Sequence, residues 1–582
     1  MEIIRSVVYT LAEYVWSFPE NMGISFPPLL VLLLLGTGLF YTLRLGFIQL
    51  RKLGHSFSAI TGKFDDPDDE GDIHHFQALT SALSATVGIG NIAGVATAIH
   101  YGGPGALFWM WITALFGMSL KFAECTLAHH YRNINPDGSA SGGPMYYIEK
   151  GLGKRWKWLA VTFALCAVFS SLGQGNSIQS FTMADQLKTD LALPTYITGL
   201  FSATVVGLVI IGGIRRIGKV TSRLVPAMAL IYLIGGLAVL ILNYDQVPSA
   251  VSEIFTSAFS TKAEIGGFAG STWLFLMTWG VKRGLFSNES GQGSAPIAHA
   301  AAKTREPVRE GTVALMEPFL DTLIICTITG LIIVTTGVWH EKKAGMASAF
   351  IRQEAISIIR ADAEVGVNGV IRSEDLFEGE FQVVEGSAVG VRFVRNHSVV
   401  EGAAREGDEW IISGTPVIAL SFQDVDHYKP FSGTVRVADG IPSFVGKEGS
   451  AISNENVYLV GSFSQNGSPL TSWAFNVGLR SLLGDFGYLI VTCGVFLFAI
   501  STAISWSYYG DRATEYLFGS RWVMPYRIMY CIVHFIGAVV SLEIVWAFGD
   551  FALGLMAFPN LIAILVLSGK VVSLTRDYFR RH

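Results

Sequence analysis

The chain has 582 residues, 51% of them hydrophobic and only 15% charged, with a mean hydropathy of +0.45. A soluble domain needs more charge than this to cover its surface, so the composition excludes an ordinary soluble protein. A formal net charge of -5 offers no basic field for a nucleic-acid partner, and none is expected.

Residues Met1–Glu20 carry one Arg and mix Glu with Tyr and Trp, without the basic start, apolar core and small-residue cleavage site of a secretory signal. Membrane spans are therefore expected to direct insertion themselves. Eleven stretches approach or exceed the roughly 20 apolar residues that cross a bilayer. They run over about 27–47, 77–100, 104–131, 157–182, 195–214, 222–243, 270–301, 311–338, 484–509, 525–547 and 550–574. Basic clusters follow every second span: Arg44, Arg51, Lys52 and Lys63; Lys150, Lys154, Arg155 and Lys157; Arg215, Arg216, Lys219 and Arg223; Lys303, Arg305 and Arg309; Arg512, Arg521 and Arg527; Arg576, Arg580 and Arg581. By the positive-inside rule the N-terminus is expected outside and the C-terminus in the cytoplasm. Cys125, Cys166, Cys326, Cys493 and Cys531 all lie in apolar stretches without metal-site spacing, so they read as small hydrophobic side chains.

Between spans eight and nine, residues 341–467 contain no spanning stretch. Phe381-Gln-Val-Val-Glu, Val391-Arg-Phe-Val and Trp410-Ile-Ile-Ser read as strands, and the segment is net acidic by about seven charges. The topology places it outside, as an inserted, mostly β soluble domain that no cysteine staples. Its own partner is unknown from the sequence.

Two spans are interrupted. Span two holds Gly88, Gly90 and Gly94 among Ser84, Thr86 and Asn91; span seven holds Gly284-Leu-Phe-Ser-Asn-Glu-Ser-Gly-Gln-Gly293. Glycine weakens helix, and unpaired backbone survives at membrane depth only when buried in protein or lining a cavity. Close packing through small residues is the alternative reading of span two. Spans two to six and seven to eleven make two blocks of five, each led by an interrupted helix. Because five is odd, the second block enters from the opposite side, which is the pattern of an inverted-repeat transporter with its site at the repeat interface. Half-helix N–H ends suit a carboxylate, and freed carbonyls suit Na⁺ or an ammonium, so a zwitterionic amino acid fits such a pair of breaks.

Long stretches then match in order: Gly102-Gly-Pro-Gly-Ala-Leu-Phe-Trp-Met-Trp-Ile-Thr-Ala-Leu-Phe-Gly117, Lys121-Phe-Ala-Glu124, Gly36 through Lys52, Ser141-Gly-Gly-Pro-Met-Tyr146, Gly284 through Gly291 and Trp506-Ser-Tyr-Tyr-Gly510. They resemble the alanine or glycine:cation symporter family. The resemblance covers about 27–338 and 468–575 and omits the insert. It implies an all-α polytopic membrane protein of the LeuT-like fold, with one N-terminal helix before a 5+5 inverted repeat. The division expected is 1–76 with the extra helix, 77–243 as the first repeat, 270–338 and 484–575 as the two parts of the second, and 341–467 as the insert. It further implies sodium-coupled uptake of alanine or glycine by alternating access across a prokaryotic plasma (inner) membrane, with Na⁺ as cargo and no organic cofactor.

Laid on this chain, the resemblance makes the amides of Gly88, Ile89 and Gly90 carboxylate donors, beside Thr86 and Asn91. Phe286, Ser287 and Asn288 would line the substrate, Trp506 would cap it, and Gln174 and Asn176 are further polar candidates. Sodium would take carbonyls at Ser84, Val87 and Ala499 and the Thr502 hydroxyl. Bland readings stand beside these: Thr502 bonding its own helix, Trp506 as an interfacial anchor and Gln174 bridging helices. Lys282, Arg283, Glu289, Glu124, Glu317 and Asp321 are expected to pair with one another or sit near water, as gate bridges or proton-handling groups. A proton-coupled symporter, a channel, and a membrane-anchored sensor or enzyme acting through the insert are the rivals. The insert shows no CxxC, HExxH or GxSxG pattern, and His340, His397 and His427 lie far apart in sequence.

Overall fold

The computed structural model describes residues 28–259 apart from 67 and 136–138, residues 273–347, residues 464–581 apart from 541, strands and short pieces between 357 and 463, and Val15, Trp16 and Phe18. The expectations on 1–14 and on the opening of span seven, 270–272, lie outside the described residues.

The molecule is mostly helical, as a bilayer demands of a chain that must satisfy its backbone internally. Among the described residues, six helical runs are long and apolar enough to cross a membrane: Gly105–His130, Lys154–Leu191, Gly213–Leu242, Pro307–Thr336, Tyr488–Phe518 and Ser520–Val539. Two bent pairs qualify when each is taken as one span, His75–Thr86 with Gly90–Gly102 at 52° and Phe551–Val566 with Ser568–Arg581 at 60°. Leu29–Arg44 and Thr195–Ile210 are shorter apolar helices. This is a polytopic membrane protein. Leu200, Leu208, Ile234 and Ile241 point outward, while the interior buries Asn91, Glu124, Glu289, Glu317 and Asp321. Apolar outside and polar inside is the arrangement lipid selects.

Two expected boundaries move. Span ten ends at Val539 and the next helix starts at Leu542, so the predicted 525–547 and 550–574 are divided several residues early. In span seven Trp273–Asn288 stays helical through Gly284, and the chain turns only at Glu289 to Ser294 before the short helix Ala295–His299. Gly284 faces Thr113 and Met110 so closely that it serves helix contact, not unwinding. The sequence also concealed three π-helical turns, Gly90–Gly94, Gly173–Ser177 and Phe319–Cys326, of a kind that clusters at functional sites.

Between Lys342 and Ser464 the described elements are all strands. Ala451–Ile452, Ile441–Gly446, Gly433–Ala438, Gly379–Val384 and Ser387–Ala388 lie side by side, antiparallel throughout. Phe381, Val383, Val435, Val437, Phe431 and Phe444 form a core of their own with Ile358, Val391 and Phe393. Phe381 and Val383 thus face this core, with the exposed Gln382 between them turned away.

Candidate functional site

The helix His75–Thr86 stops because side chains capture the next amides. Gly88 N–H donates to Asn91 Oδ1 at 2.8 Å and Ile89 N–H to Gln179 Oε1 at 3.4 Å. In a continuous helix those amides would serve the carbonyls of Ser84 and Ala85. Diverted, they leave both carbonyls outside the ladder, and Val87 departs from helical geometry at ψ 86. Two of the amides that the resemblance offers to a carboxylate are therefore engaged by side-chain oxygens here. Thr86 points back into its own helix, toward the Ala82 and Leu83 carbonyls.

The two breaks adjoin. Asn91 Nδ2 donates to Ser287 Oγ at 3.1 Å and to Asp321 Oδ1 at 2.5 Å; Ser287 Oγ donates to Asp321 Oδ2 at 2.8 Å, and Thr322 Oγ1 donates to the same oxygen at 2.7 Å. Asn288 Nδ2 reaches Thr322 Oγ1 at 3.2 Å. A Cβ on Gly90 would stand 3.1 Å from Phe286 and 3.2 Å from Ser287 Cα, so glycine permits the approach of the two backbones. Asp321 is fully buried, and among the described residues its hydrogen-bond donors are all neutral. The sequence marks it only as a costly charge; its place at the junction comes from the π-helical turn Phe319–Cys326, which no periodicity announces.

Against the first break lies the helix Tyr488–Phe518. Ser84 Oγ donates to the Ser501 carbonyl at 2.7 Å. Thr502 Oγ1 is buried and makes no hydrogen bond among the described residues, so the bond to its own helix is not formed. A Cβ on Gly88 would meet that hydroxyl at 2.5 Å. Ala499, buried, sits one turn earlier on the same helix. Ser84, Gly88 and Thr502 are thus brought together. An orphaned hydroxyl beside freed carbonyls is the donor chemistry of a hard monovalent cation.

Trp506, one turn beyond Thr502, is fully buried in mid-helix, which removes the interfacial-anchor reading. Its Nε1–H donates to Glu289 Oε1 at 2.8 Å, and Ser294 Oγ donates to Glu289 Oε2 at 2.5 Å. Glu289 adopts φ 55, the left-handed conformation that turns the chain at the second break. The indole also lies flat against Gly175, where any Cβ would overlap the ring. Gly175→Ala is expected to displace Trp506 and lower transport by at least ~10-fold with normal membrane insertion, checked by uptake against surface-expressed protein. Gln174 is buried nearby with its Oε1 unpartnered among the described residues. Asn176 faces the other way: its Nδ2 donates to the Tyr530 carbonyl at 2.8 Å and its Oδ1 meets His534 Nδ1, so the structure does not bring it to the breaks.

Among the described residues Glu317 pairs with Lys121, which lies outside the six residues singled out, while Asp321, Glu289 and Glu124 accept hydrogen bonds from neutral donors. Lys282 lies over the Trp16 and Trp279 rings, and Arg283 over Trp279 and Phe286, where ring faces meet the cations. Glu124 accepts from Asn560 Nδ2 and from the Gly291 amide, tying the second break to the last spans.

Comparison with known proteins supplies the family. The sodium:alanine symporter family matches residues 9–365 and 452–582, leaving out the middle of the strand-forming segment. The chain is similar to the sodium/alanine symporter AgcS of Methanococcus maripaludis, 36% identical over 575 residues, covering 98% of this chain and 97% of that protein. It is also similar to a putative sodium/proton-dependent alanine carrier, YrbD, of Bacillus subtilis, 29% identical over 99% of this chain and 92% of the relative. A probable sodium/glutamine symporter, GlnT, of the same organism is 36% identical over 61% of this chain and 70% of its own length. The protein is not an enzyme but a transporter, and it belongs to the sodium:alanine symporter family.

Proposed function

We propose that the chain imports a small neutral amino acid, alanine or glycine, by sodium-coupled symport through alternating access. The observation that carries this is the meeting of both interrupted helices at Asn91, Ser287 and Asp321, next to the unpartnered hydroxyl of Thr502. Sodium takes the Ser84 carbonyl, left outside the helix ladder, with the Val87 and Ala499 carbonyls and Thr502 Oγ1. The substrate carboxylate takes the Gly88, Ile89 and Gly90 amides, displacing Asn91 Oδ1 from the first and Gln179 Oε1 from the second, with Thr86 and Asn91 alongside. Asp321 balances the positive charge of the ammonium or of a second cation. Phe286, Ser287, Asn288 and Gln174 line the substrate, and Trp506 held by Glu289 limits its size. That limit, together with the names of two relatives, favours alanine over a longer side chain. Asn176 acts from behind, fixing the π-helical turn against the Ser520–Val539 run.

The supporting architecture is eleven spans, an N-terminal helix before a 5+5 inverted repeat, with the insert 341–467 and the N-terminus outside and the basic loops cytoplasmic in the plasma (inner) membrane. Cation binding strengthens substrate binding as a coupling free energy, and the inward gradient supplies direction. Labelled alanine uptake into proteoliposomes is expected to require an imposed sodium gradient; uptake indifferent to it rejects symport. Proton coupling is the second reading, favoured by the printed name of one relative; a proton gradient alone would then drive uptake. Deleting 341–467 with a short linker is expected to leave uptake within ~3-fold, because that segment has its own apolar core. Loss of uptake by a correctly inserted deletion variant would make the insert part of the machine.

A further inference from the structure

A row of buried ionisable side chains leads from the interior to one face of the protein. Lys121 Nζ donates to Glu317 Oε2 at 3.0 Å; Glu317 Oε1 meets His299 Nε2 at 2.6 Å; His299 Nδ1 meets Glu310 Oε1 at 2.5 Å. Glu310 Oε2 in turn bonds His75 Nδ1. All five side chains are 0–1% exposed. The far nitrogen, His75 Nε2, makes no hydrogen bond among the described residues and lies 3.8 Å from Asp65 Oδ1. Asp65 is one-third exposed and lines an open cleft of about 420 Å³ with Lys63, Asp66, Asp69, Arg305 and Arg309. At its inner end Lys121 acts electrostatically on Glu124 and Glu289, both tied to the second break.

The chemistry of the row follows from donor counting. Both nitrogens of His299 face carboxylate oxygens, and an imidazole donates from both only as an imidazolium. With His299 and Lys121 positive and Glu310 and Glu317 negative, the row is neutral. His75 then gives its Nδ1–H to Glu310 and keeps a lone pair on Nε2, aimed at the cleft. Other charged groups around His75 are already held. His74 and Asp65 come from the segment entering span two, and His129 and Arg132 from the end of Gly105–His130. Arg215 on Gly213–Leu242 pairs with Asp72, His55 bonds Tyr578, and Arg512 on Tyr488–Phe518 pairs with Glu515. Cys125 lies within 4.8 Å of the His299 and Glu317 ligand atoms, but the ammonium on Glu317 stands where a dication's charge would have to go.

We propose that this row is a proton site, loaded from the face that bears Asp65, through which pH on that face sets the transport rate. A hydronium proton in the cleft passes by way of Asp65 to the lone pair of His75. An N–H forms at Nε2 and the Nδ1 proton crosses to Glu310. His299, which already carries a proton on each nitrogen, keeps both and goes on donating to Glu310 and Glu317. The row gains one proton and one positive charge, and bulk water loses both. Low dielectric makes that charge felt at the breaks, whose cargo includes a cation, so acid on this face slows transport. The consequence for rate rests on the transport reading given above; the proton site itself does not.

Alanine exchange by the full chain in proteoliposomes is expected to slow ~5-fold from about pH 8 to about pH 6, with one inflection. His75→Gln is expected to flatten that profile while keeping the rate near pH 8 within ~2-fold, and Asp65→Asn, which removes the carboxylate 3.8 Å from Nε2, to blunt it. A flat wild-type profile, or a His75→Gln profile with the wild-type inflection, overturns the proposal. Infrared difference spectra of the purified protein on acidification give a readout free of transport. Carboxylate and imidazole bands present in the wild type are expected to vanish in His75→Gln and in Glu310→Gln, and identical spectra overturn the site. Stoichiometric bound metal in the purified protein overturns it as well. Wild-type bands without any alanine exchange would reject the transport reading and leave the proton site standing.

Discussion

Asp321→Asn is expected to cut sodium-driven alanine uptake by at least ~100-fold without lowering the melting temperature of the purified protein. The two outcomes separate because, among the described residues, the groups that hydrogen-bond to the carboxylate are Asn91, Ser287 and Thr322, all neutral. Burying an ion without a charged partner costs several kcal/mol, so an isosteric amide relieves the fold of a cost of order 1–4 kcal/mol. Transport loses what that cost secured, a negative charge at the junction of the two breaks for a cationic cargo. Uptake retained at wild-type sodium affinity would show that Asp321 serves packing alone. Thermal unfolding followed by tryptophan fluorescence supplies the stability arm.

The second large effect is expected at Thr502→Val. Half-saturating sodium rises ~10–100-fold, while the maximal rate at saturating sodium changes little, because one oxygen ligand worth roughly 1.4–2.8 kcal/mol is removed. No hydrogen bond is lost among the described residues, since Oγ1 makes none there, and the added methyl faces the same Gly88 backbone. A threonine that merely packed would give an unchanged sodium titration, and that result would move the cation away from the Tyr488–Phe518 helix. Titrating uptake against sodium at fixed alanine decides it.

Much of this was legible in the residues. Gly88 and Gly90 mark the first break because the approach of Thr502 to one and of Phe286 and Ser287 to the other leaves no room for Cβ. The polar run after Asn288 marks the second. Part of what the sequence withheld traces to the three π-helical turns. Each adds a residue to a turn, so faces counted at 3.6 residues per turn are wrong beyond it. Asn176, inside Gly173–Ser177, is carried toward His534, whereas Asp321 is carried to Asn91. His75, His299 and Glu310 were invisible for a different reason: they come together only through tertiary packing, from three segments with no shared spacing. Trp506 was open to two readings, pocket cap or interfacial anchor, and its burial against a glutamate at the second break removes the latter.

Arg132 gives the molecule's construction a last consequence. Its guanidinium donates to the carbonyls of Ala300 at 2.9 Å, Ala302 at 2.6 Å, Thr304 at 3.0 Å and Glu70 at 2.9 Å, the last on the segment entering the first interrupted helix and the others just past the second. One planar cation thus pins the leads of both broken arms, next to the bridge between Ile73 and Ala302. Three of its four acceptors lie on one lead, so a shift of the Glu70 segment costs the guanidinium a single bond and leaves it riding with the second arm.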